Sequence, residues 1–409
     1  MKTETLIDIA IFFVIIVFLQ FFSLTLLEDK AIQWQMVLLT GFLLVAVSVY
    51  GILFTKGIKF FAFDKLVLFY ILSMIVSSIM AKVYWNQSFS SSLKAYSFFY
   101  IHFLYIILVV FNVSKERTER LLVILFFISL AVFLIDYITF PNPLFSWRNE
   151  ERRNGITIFF YGQGFCFLGA FYFLSKFFEE KKIKQLILFL ISFCCLFFLT
   201  QSRLILIGLV LGFFLILLSS EYKKRYLIGL IVLVSGTILY TTASIFNGIK
   251  DASKDEAQYY KENIRLQAQN YYLTELQGGT PTMIFGNGIP AVNSKLGTET
   301  DTANTLGYWA ADIGLTGIYS YFGVVGVIGL LIIFFSVLKL KNSKDSAYLK
   351  AYCLVLLTTA FTGFSLFDPG YMPATILVLY LTRIEIISNK EKILIAKSEA
   401  NYAFGLNKT

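Results

Sequence analysis

Apolar blocks of roughly 20 residues recur along this chain and are separated by short polar or charged stretches. A helix rises about 1.5 Å per residue, so about 20 residues cross a hydrocarbon core about 30 Å thick. Lipid offers the backbone no hydrogen bonds, and such a block must satisfy its N–H and C=O groups internally, as a helix does. With 57% apolar and only 15% charged residues, the chain is predicted to be an all-α integral membrane protein rather than a water-soluble globule.

Eight blocks have the length of a single span, namely residues 6–27, 33–54, 65–85, 95–111, 121–140, 157–178, 227–246 and 320–338. Two further blocks, 185–218 and 351–387, are too long for one span. Polar residues at 200–203 interrupt the first, and Pro and Gly within 367–370 interrupt the second, so each is predicted to form two short helices. The prediction is about 12 transmembrane helices.

These spans divide the chain into four regions. Residues 1–246 hold the first nine helices, 247–305 form one large extracytoplasmic loop, 306–387 hold the last three helices, and 388–409 form a cytoplasmic tail. When the spans alternate from a cytoplasmic N-terminus, about two thirds of the 35 Lys and Arg fall on the cytoplasmic side. Both termini are therefore predicted to be cytoplasmic, and the net charge of +9 is explained without nucleic acid.

The loop at 247–305 is too long to be a simple connection. It has aromatic and helical texture over 258–276, followed by turn-rich stretches at 278–281 and 285–288. We expect an amphipathic outer helix, a turn, and a return to the membrane through residues 304–317.

Four arginines oppose the positive-inside trend because they lie on the predicted outer side: Arg152, Arg153, Arg203 and Arg265. Arg203 stands between two apolar helices, where a guanidinium is costly unless it faces a polar cavity or a partner. Each of these arginines could instead have a purely structural role. Arg203 would reach the headgroups or pair with Asp136, Arg265 would lie on a solvated helix face, and Arg152 and Arg153 would form salt bridges with the flanking glutamates.

Several arginines at an outer membrane edge suit a phosphate or diphosphate, because the planar guanidinium makes bidentate contacts and stays charged. A lipid-linked diphosphate lies at that depth. Neither a cofactor nor a metal is predicted, since the four cysteines lie inside apolar runs and the outer carboxylates lack ligand spacing.

Four stretches in this order are similar to the Wzy-type polymerases of the bacterial O-antigen polymerase and ligase superfamily. They are RRNG at 152–155, TQSR at 200–203, the segment 263–288 with Arg265 and FGNG, and 301–326 leading into the next span. Arg153 is also followed by ten residues and then Gly164, a spacing described for outer loops of this family.

The resemblance implies a metal-independent, membrane-embedded glycosyltransferase with a GT-C-like fold in the bacterial cytoplasmic membrane, with its active site on the outer, periplasmic side. It would polymerise oligosaccharide repeat units linked to undecaprenyl diphosphate into an O-antigen, capsule or exopolysaccharide, with inversion at the anomeric carbon. Arg203 and Arg265 would stabilise the departing lipid diphosphate, assisted by Arg152 or Arg153. A chain-length regulator protein is an expected partner by the resemblance alone.

The acceptor hydroxyl needs orientation, and Asp301, Asp312 or Glu275 are the available carboxylates, none favoured by spacing. Asn304 is expected to shape the acceptor site. Several outer aromatic residues, Tyr271 and Tyr308 among them, are candidates for a sugar-binding platform, with an interfacial aromatic belt as the alternative.

Relatives of the O-antigen ligase type usually carry a catalytic His-Asn pair where this chain has Ala303 and Asn304. The single histidine, His102, lies in the fourth predicted span and is expected to be a hydrogen-bonded packing residue. This departure favours a polymerase over a ligase-type transferase. A non-enzymatic translocator of lipid-linked sugars is the third possibility, but it predicts charges spread through a central cavity.

Overall fold

The structure is a computed structural model that describes residues 3–22, 30–139, 144–145, 151–153, 156–158, 162–200, 203–242, 263–341, 346–361, 363 and 367–406. These residues are helical apart from one small hairpin, so the predicted all-α class is confirmed in outline. The first helices are α1 (Thr3–Phe18), α2 (Lys30–Phe54), α3 (Ala62–Trp85), α4 (Phe89–Ala95), α5 (Phe103–Val110) and α6 (Lys115–Thr139). A 3₁₀ helix, Ser97–His102, joins α4 to α5.

The second group is α7 (Gln163–Glu180), α8 (Ile183–Thr200), α9 (Arg203–Ser219) and α10 (Arg225–Thr242). The large loop contains α11 (Ile264–Asn270), a π-helical turn (Tyr271–Glu275), α12 (Thr280–Phe285) and α13 (Lys295–Thr305), and a 3₁₀ turn (Ala310–Asp312) follows it. The last helices are α14 (Leu315–Leu338), α15 (Ala347–Thr359) and α16 (Met372–Leu406).

Both predicted helix breaks are present. Helix α8 ends at Thr200 and α9 begins at Arg203, while α15 ends at Thr359 and α16 begins at Met372. Among the described residues, four helices are long and apolar enough to cross a membrane: Ile32–Phe54, Ala62–Trp85, Lys115–Thr139 and Leu315–Leu338. A fifth candidate is the pair Phe89–Ala95 and Ser97–Val110, which is bent by 66°. The chain is therefore a membrane-protein candidate by length and composition.

Two boundaries differ from the sequence prediction. The stretch predicted to start a span at residue 157 begins instead as a hairpin, in which β1 (Glu151–Arg153) pairs antiparallel with β2 (Ile156–Ile158), and α7 starts only at Gln163. Ile156, Thr157 and Ile158 are all β-branched, and their side chains alternate between apolar and polar. Both features favour a strand over the first turn of a helix. The span predicted at 95–111 is not one straight helix, because the 3₁₀ segment breaks it.

The ends of the helix bundle are named here after a residue at each. At the Trp85 end lie the last turn of α3 and the first turns of α7, α9, α14 and α16. At the Arg383 end, Asp64 at the start of α3 accepts hydrogen bonds from Arg383 Nε (2.9 Å) and from the hydroxyl of Tyr105 (2.6 Å). Asp64 also accepts from the N–H of Phe61 at 2.7 Å, which caps α3.

Basic loops meet at the Arg383 end. Lys115 pairs with Glu385 at 2.7 Å, and Arg117 pairs with Asp8 of α1 at 2.8 Å. Helix α1 therefore starts at this end, which is the end that the charge distribution predicts to be cytoplasmic.

Helix α14 is broken at Gly323, whose backbone has φ +66° inside the helical range. A Cβ at this position would meet the backbone of Ile284 and Gly286. Glycine is required here because the loop backbone lies directly against the helix and because L side chains rarely adopt this conformation. The large loop is thereby packed into the bundle rather than suspended from it.

Candidate functional site

Residues 263–313, which comprise the described part of the large loop and the start of the return that follows it, fold as a small cap with its own apolar cluster. The buried members of this cluster are Trp85, Ala268, Tyr272, Leu276, Leu296, Ala310 and Ile313. Trp85 belongs to the last turn of α3, so the cap is built around the end of a predicted span. Sequence analysis predicted a structured loop, and this prediction is confirmed for the described residues.

Asn287, in the FGNG stretch, attaches this cap to the bundle. Its side chain accepts a hydrogen bond from Trp85 Nε1 at 2.9 Å and donates to the carbonyl oxygens of Leu276 (2.9 Å) and Ser320 (3.2 Å). Its own N–H also donates to the Ser320 carbonyl at 2.8 Å. Asn287 is 1% exposed, and it joins α3, the loop and α14 in one buried amide.

The residues on both sides of Asn287 must be glycines for steric reasons. Gly286 and Gly288 both have positive φ, +85° and +81°. A Cβ on Gly288 would lie 2.7 Å from Ala81 Cβ and 2.8 Å from the Ser77 carbonyl oxygen, both on α3. The FGNG stretch, which the sequence presented as part of a family resemblance, is therefore a docking element in the structure.

A second amide, Gln87, fixes the other side of the cap and was missed by the sequence analysis. Its Nε2 donates to the Ile289 carbonyl at 3.0 Å, and its Oε1 accepts from the Ala291 N–H (3.0 Å) and the Ser294 hydroxyl (2.9 Å). Gln87 is fully buried. A Gln directly after an apolar block gives no signal of its own, because its partners lie about 200 residues away.

Two of the predicted sugar-binding aromatics lie together. The rings of Tyr271 and Tyr308 have centroids 5.8 Å apart, and both are half-buried. The Tyr308 hydroxyl donates to Gln267 Oε1 at 3.1 Å. Tyr272 is different, since it is fully buried and donates from its hydroxyl to the Tyr308 carbonyl at 3.2 Å. Tyr271 and Tyr308 thus offer an accessible aromatic surface, with Tyr272 supporting it from below.

Burial affects the ionisation of these tyrosines. It raises the pKa of Tyr271, with the nearby carboxylates Glu299 and Glu275 acting in the same direction. It raises the pKa of Tyr272 further. Both hydroxyls remain protonated at neutral pH and serve as hydrogen-bond donors rather than as bases.

The predicted carboxylates are at the surface of the cap. Asp301 lies on α13 and Asp312 on the 3₁₀ turn before α14, and both are exposed, as is Glu275. Asn304, on the last turn of α13, is half-buried. Within the described ranges, no group of three or more His, Cys, Asp or Glu is arranged to hold a metal ion.

The predicted arginines occupy three different elements. Arg265 is half-buried on α11, and its N–H is capped by Asn263 Oδ1 at 2.9 Å. Arg152 and Arg153 lie in β1, opposite Thr157 and Ile156. Arg203 is the first residue of α9. The side chains of Arg152, Arg153 and Arg203 lie outside the described residues, and the alternatives that involve their ion pairs stay predictions.

The described residues of the segment 360–371 that follows α15, namely 360, 361, 363 and 367–371, bond to two of these elements at the Trp85 end. The carbonyl of Ala360 accepts from the N–H of Leu315, the first residue of α14, at 2.8 Å. The carbonyl of Gly370 accepts from the N–H of Gly164 in the first turn of α7 at 3.0 Å. One segment therefore links the helix that follows Asp312 to the helix that follows the Arg152 hairpin.

Helix α9 begins level with the same segment. It packs antiparallel to α15, with Gly212 level with Ala351 and Gly208 level with Val355 and Thr358. Arg203 is five residues before Gly208, about 7.5 Å further along the helix axis. The backbone of Arg203 is therefore level with the start of the 360–371 segment.

Close packing requires a glycine at position 164, after the hairpin. A Cβ there would lie 2.8 Å from the Cα of Tyr371 and 3.0 Å from the Gly370 carbonyl oxygen. Beside it, the Tyr371 hydroxyl donates to Gln163 Oε1 at 2.5 Å, and Asp368 Oδ1 accepts from the Gly370 N–H at 2.7 Å. Gln163 and Tyr371 are both buried and were missed by the sequence analysis.

His102 lies in the 3₁₀ segment and is 5% exposed. Its Nδ1 is 2.9 Å from the Phe99 carbonyl oxygen, and its ring stacks on Phe99 with centroids 6.2 Å apart. The structure agrees with the prediction of a hydrogen-bonded packing residue.

Comparison of the chain with protein-family models and with curated protein sequences gave no match.

Proposed function

We propose that this protein is a Wzy-type polysaccharide polymerase. It transfers a glycan from undecaprenyl diphosphate to the sugar of another lipid-linked repeat unit, at the outer face of the bacterial cytoplasmic membrane. The observation that carries the proposal is the convergence on residues 360–371. The first turns of α7 and α14 are hydrogen-bonded to described residues of this segment, and the start of α9 is level with it. Helix α7 follows the Arg152 hairpin, α14 follows Asp312, and α9 begins with Arg203.

The chemistry of the donor explains why arginines would gather at one end of a bundle. When the glycosyl bond breaks, the lipid diphosphate leaves with at least two negative charges. Guanidinium groups held in place before the reaction stabilise these charges more in the transition state than in the ground state. We assign this role to Arg203 and Arg265, with Arg152 or Arg153 binding the same diphosphate.

The cap supplies the acceptor side. Tyr271 and Tyr308 present an aromatic surface on which a sugar ring can stack. Asn304, Asp301 and Asp312 lie on α13 and the turn that follows it, where they are available to orient the acceptor hydroxyl. Because the cap is attached through α3 and α14, this surface is held in a fixed position relative to the bundle.

The membrane arrangement belongs to the same proposal. The remaining helices α1, α7 to α10, α15 and α16 complete about 12 spans of a GT-C-like enzyme. The Arg383 end faces the cytoplasm with both termini, and the Trp85 end faces the periplasm. A chain-length regulator is the protein partner that this function implies.

The test is polymer synthesis by purified protein in nanodiscs, supplied with one lipid-linked repeat unit and no added metal. Wild type is expected to give a ladder of products. Arg203→Ala should abolish the ladder, and Arg203→Lys should restore little of it, because a point charge does not replace the bidentate guanidinium. Arg120→Ala is the matched control, since Arg120 is an exposed arginine in α6 near the Arg383 end.

The outcomes separate the three candidate functions. A ladder that survives Arg203→Ala in folded protein contradicts the assigned role of this residue. Transfer that occurs only when a different acceptor is supplied indicates a ligase-type enzyme. Movement of the lipid-linked sugar across the bilayer without transfer indicates a translocator.

A further inference from the structure

A cavity of about 340 Å³ opens at the Arg383 end of the bundle, opposite the proposed active site. Its walls are the connection between α2 and α3 (residues 55–61), the end of α5 (109–112), and two side chains of α16, Arg383 and Ile387. Three of its lining residues are basic, Lys56, Lys59 and Arg383, and none is acidic. The volume lies in the range of small-molecule sites.

The guanidinium of Arg383 is built into this cavity rather than free at the surface. Its side chain is 8% exposed, and its Nε is bound to Asp64 at 2.9 Å. The ring of Phe61 packs against it at 5.5 Å, and the ring of Tyr380 lies 6.0 Å away. These contacts fix the orientation of the planar group, while the bond to Asp64 uses only Nε. Neither Nη group makes a hydrogen bond with a described residue.

The charges around the cavity favour an anion. Asp64 compensates one positive charge, and it is fully buried behind Arg383. Lys56 and Lys59 are exposed on the connection between α2 and α3, and within the described residues neither makes an ion pair. The cavity therefore combines one oriented guanidinium with two exposed ammonium groups, which is a suitable donor set for a phosphate.

The surface next to the cavity is apolar. The last two turns of α2 expose Tyr50 (65%), Leu53 (70%) and Phe54 (66%), directly before Thr55 in the cavity wall. Helix α2 is one of the four candidate spans, so these side chains face lipid if it crosses the membrane. A phosphate in the cavity would then lie at the level of the headgroups, with acyl chains along α2.

We propose that this cavity binds a phosphate anion, and that the phosphate belongs to the headgroup of an anionic phospholipid in the leaflet at the Arg383 end. Arg383 makes the oriented contacts through its Nη groups, and Lys56 and Lys59 neutralise the remaining charge. The site is separate from the proposed glycosyl transfer and does not depend on it.

Native mass spectrometry of the full chain tests this site. Protein in detergent is titrated with dioleoylphosphatidylglycerol or dioleoylphosphatidylcholine, and bound lipid is counted. We expect one phosphatidylglycerol to be retained in preference to phosphatidylcholine. The double variant Lys56→Gln, Lys59→Gln should weaken its binding about 30-fold, on the basis of the usual contribution of a lysine near an anionic surface.

The matched control is Lys223→Gln, Lys224→Gln. These two lysines are also exposed and lie between the apolar helices α9 and α10, but they do not line the cavity. Because all four lysines are exposed, both double variants should keep the thermal midpoint of wild type. Arg383→Lys is a further variant that keeps the charge and removes the planar group.

The arms of the experiment distinguish the source of the phosphate. Loss of phosphatidylglycerol binding in the cavity variant alone supports a lipid headgroup. Thermal stabilisation by inorganic phosphate without lipid, lost in the same variant, supports phosphate recognition but moves its source to the soluble phase. Equal lipid binding and equal phosphate response in the cavity variant, the control variant and wild type overturn the proposal.

Discussion

Replacing Asn287 by Ala is expected to detach the cap from the bundle without unfolding the bundle. The amide of Asn287 is the place where α3, the loop and α14 meet. The substitution removes all its side-chain bonds but leaves the Asn287 N–H bond to the Ser320 carbonyl, because that bond uses the backbone. Ala also fits the local packing, because the substitution only removes side-chain atoms.

The magnitude follows from the groups that lose their partners. Trp85 Nε1 and the Leu276 carbonyl are left unpaired in a buried environment, while the Ser320 carbonyl keeps its backbone partner. The Gly278 N–H also loses a 3.4 Å bond to Asn287 Oδ1, but Gly278 is exposed and water replaces that partner. An unsatisfied buried polar group costs about 1–3 kcal/mol, so the two together cost about 2–6 kcal/mol. The lower value corresponds to a roughly 30-fold increase in the population with the cap open.

Hydrogen exchange measured by mass spectrometry reports this opening. Peptides that contain the N–H groups of Gly288 and Leu276, which bond to Tyr321 and Tyr271, should exchange at least 30 times faster in the variant. Peptides from α6 and α7 should be unchanged. Asn270→Ala is the control, because Asn270 is exposed at the end of α11. Unchanged exchange of the cap in Asn287→Ala would refute the view that this amide holds it.

Three further predictions concern stability. Asp64→Ala leaves Arg383 buried without its carboxylate and should lower the free energy of unfolding by about 3–5 kcal/mol. Asp64→Leu combined with Arg383→Met should recover most of this loss, and thermal midpoints in detergent measure both effects. Gly323→Ala forces a side chain into positive φ and into the backbone of Ile284, so most of the protein should be lost from the monodisperse chromatographic peak. The raised pKa of Tyr272 keeps its hydroxyl neutral in the folded cap, so cap stability should be complete below about pH 10, the unfolded pKa, and should fall as the pH rises above it. Tyr272→Phe should remove most of this alkaline loss in tryptophan fluorescence.

The helix breaks were predictable because they depend on local chemistry. Polar residues at 200–203 and the Asp368-Pro369-Gly370 run interrupt apolar blocks. Helix α8 ends at the first signal and α16 begins directly after the second, whereas α15 already ends at Thr359. The hairpin after residue 150 was missed, although Asn154-Gly155 between two short runs is a strong hairpin signal. The sequence analysis instead predicts a span from residue 157, because the apolar run there is long enough to be helical throughout.

The attachment of the cap was not predictable in the same way. Gln87 and Asn287 each bond to groups about 200 residues away along the chain. A single amide carries no signal of its partner, since its donors and acceptors suit any backbone group. The glycines of FGNG do carry a signal, but it indicates only a backbone requirement, and the neighbour that imposes it, α3, is visible only in the folded chain.

The attachment of the cap and the proposed recognition of the diphosphate depend on different kinds of interaction, and this difference gives a way to separate structure from substrate binding. The Asn287 and Gln87 contacts that attach the cap are neutral hydrogen bonds, which salt screens little, whereas recognition of a diphosphate by arginines is strongly screened above about 0.1 M salt. Raising sodium chloride from about 0.05 M to 0.5 M should therefore leave hydrogen exchange of residues 263–313 unchanged and should slow polymer formation by raising the apparent KM for the lipid-linked donor. If exchange of the cap rises in parallel with the loss of polymer, the salt acts on the attachment of the cap, and the arginines are not the salt-sensitive element.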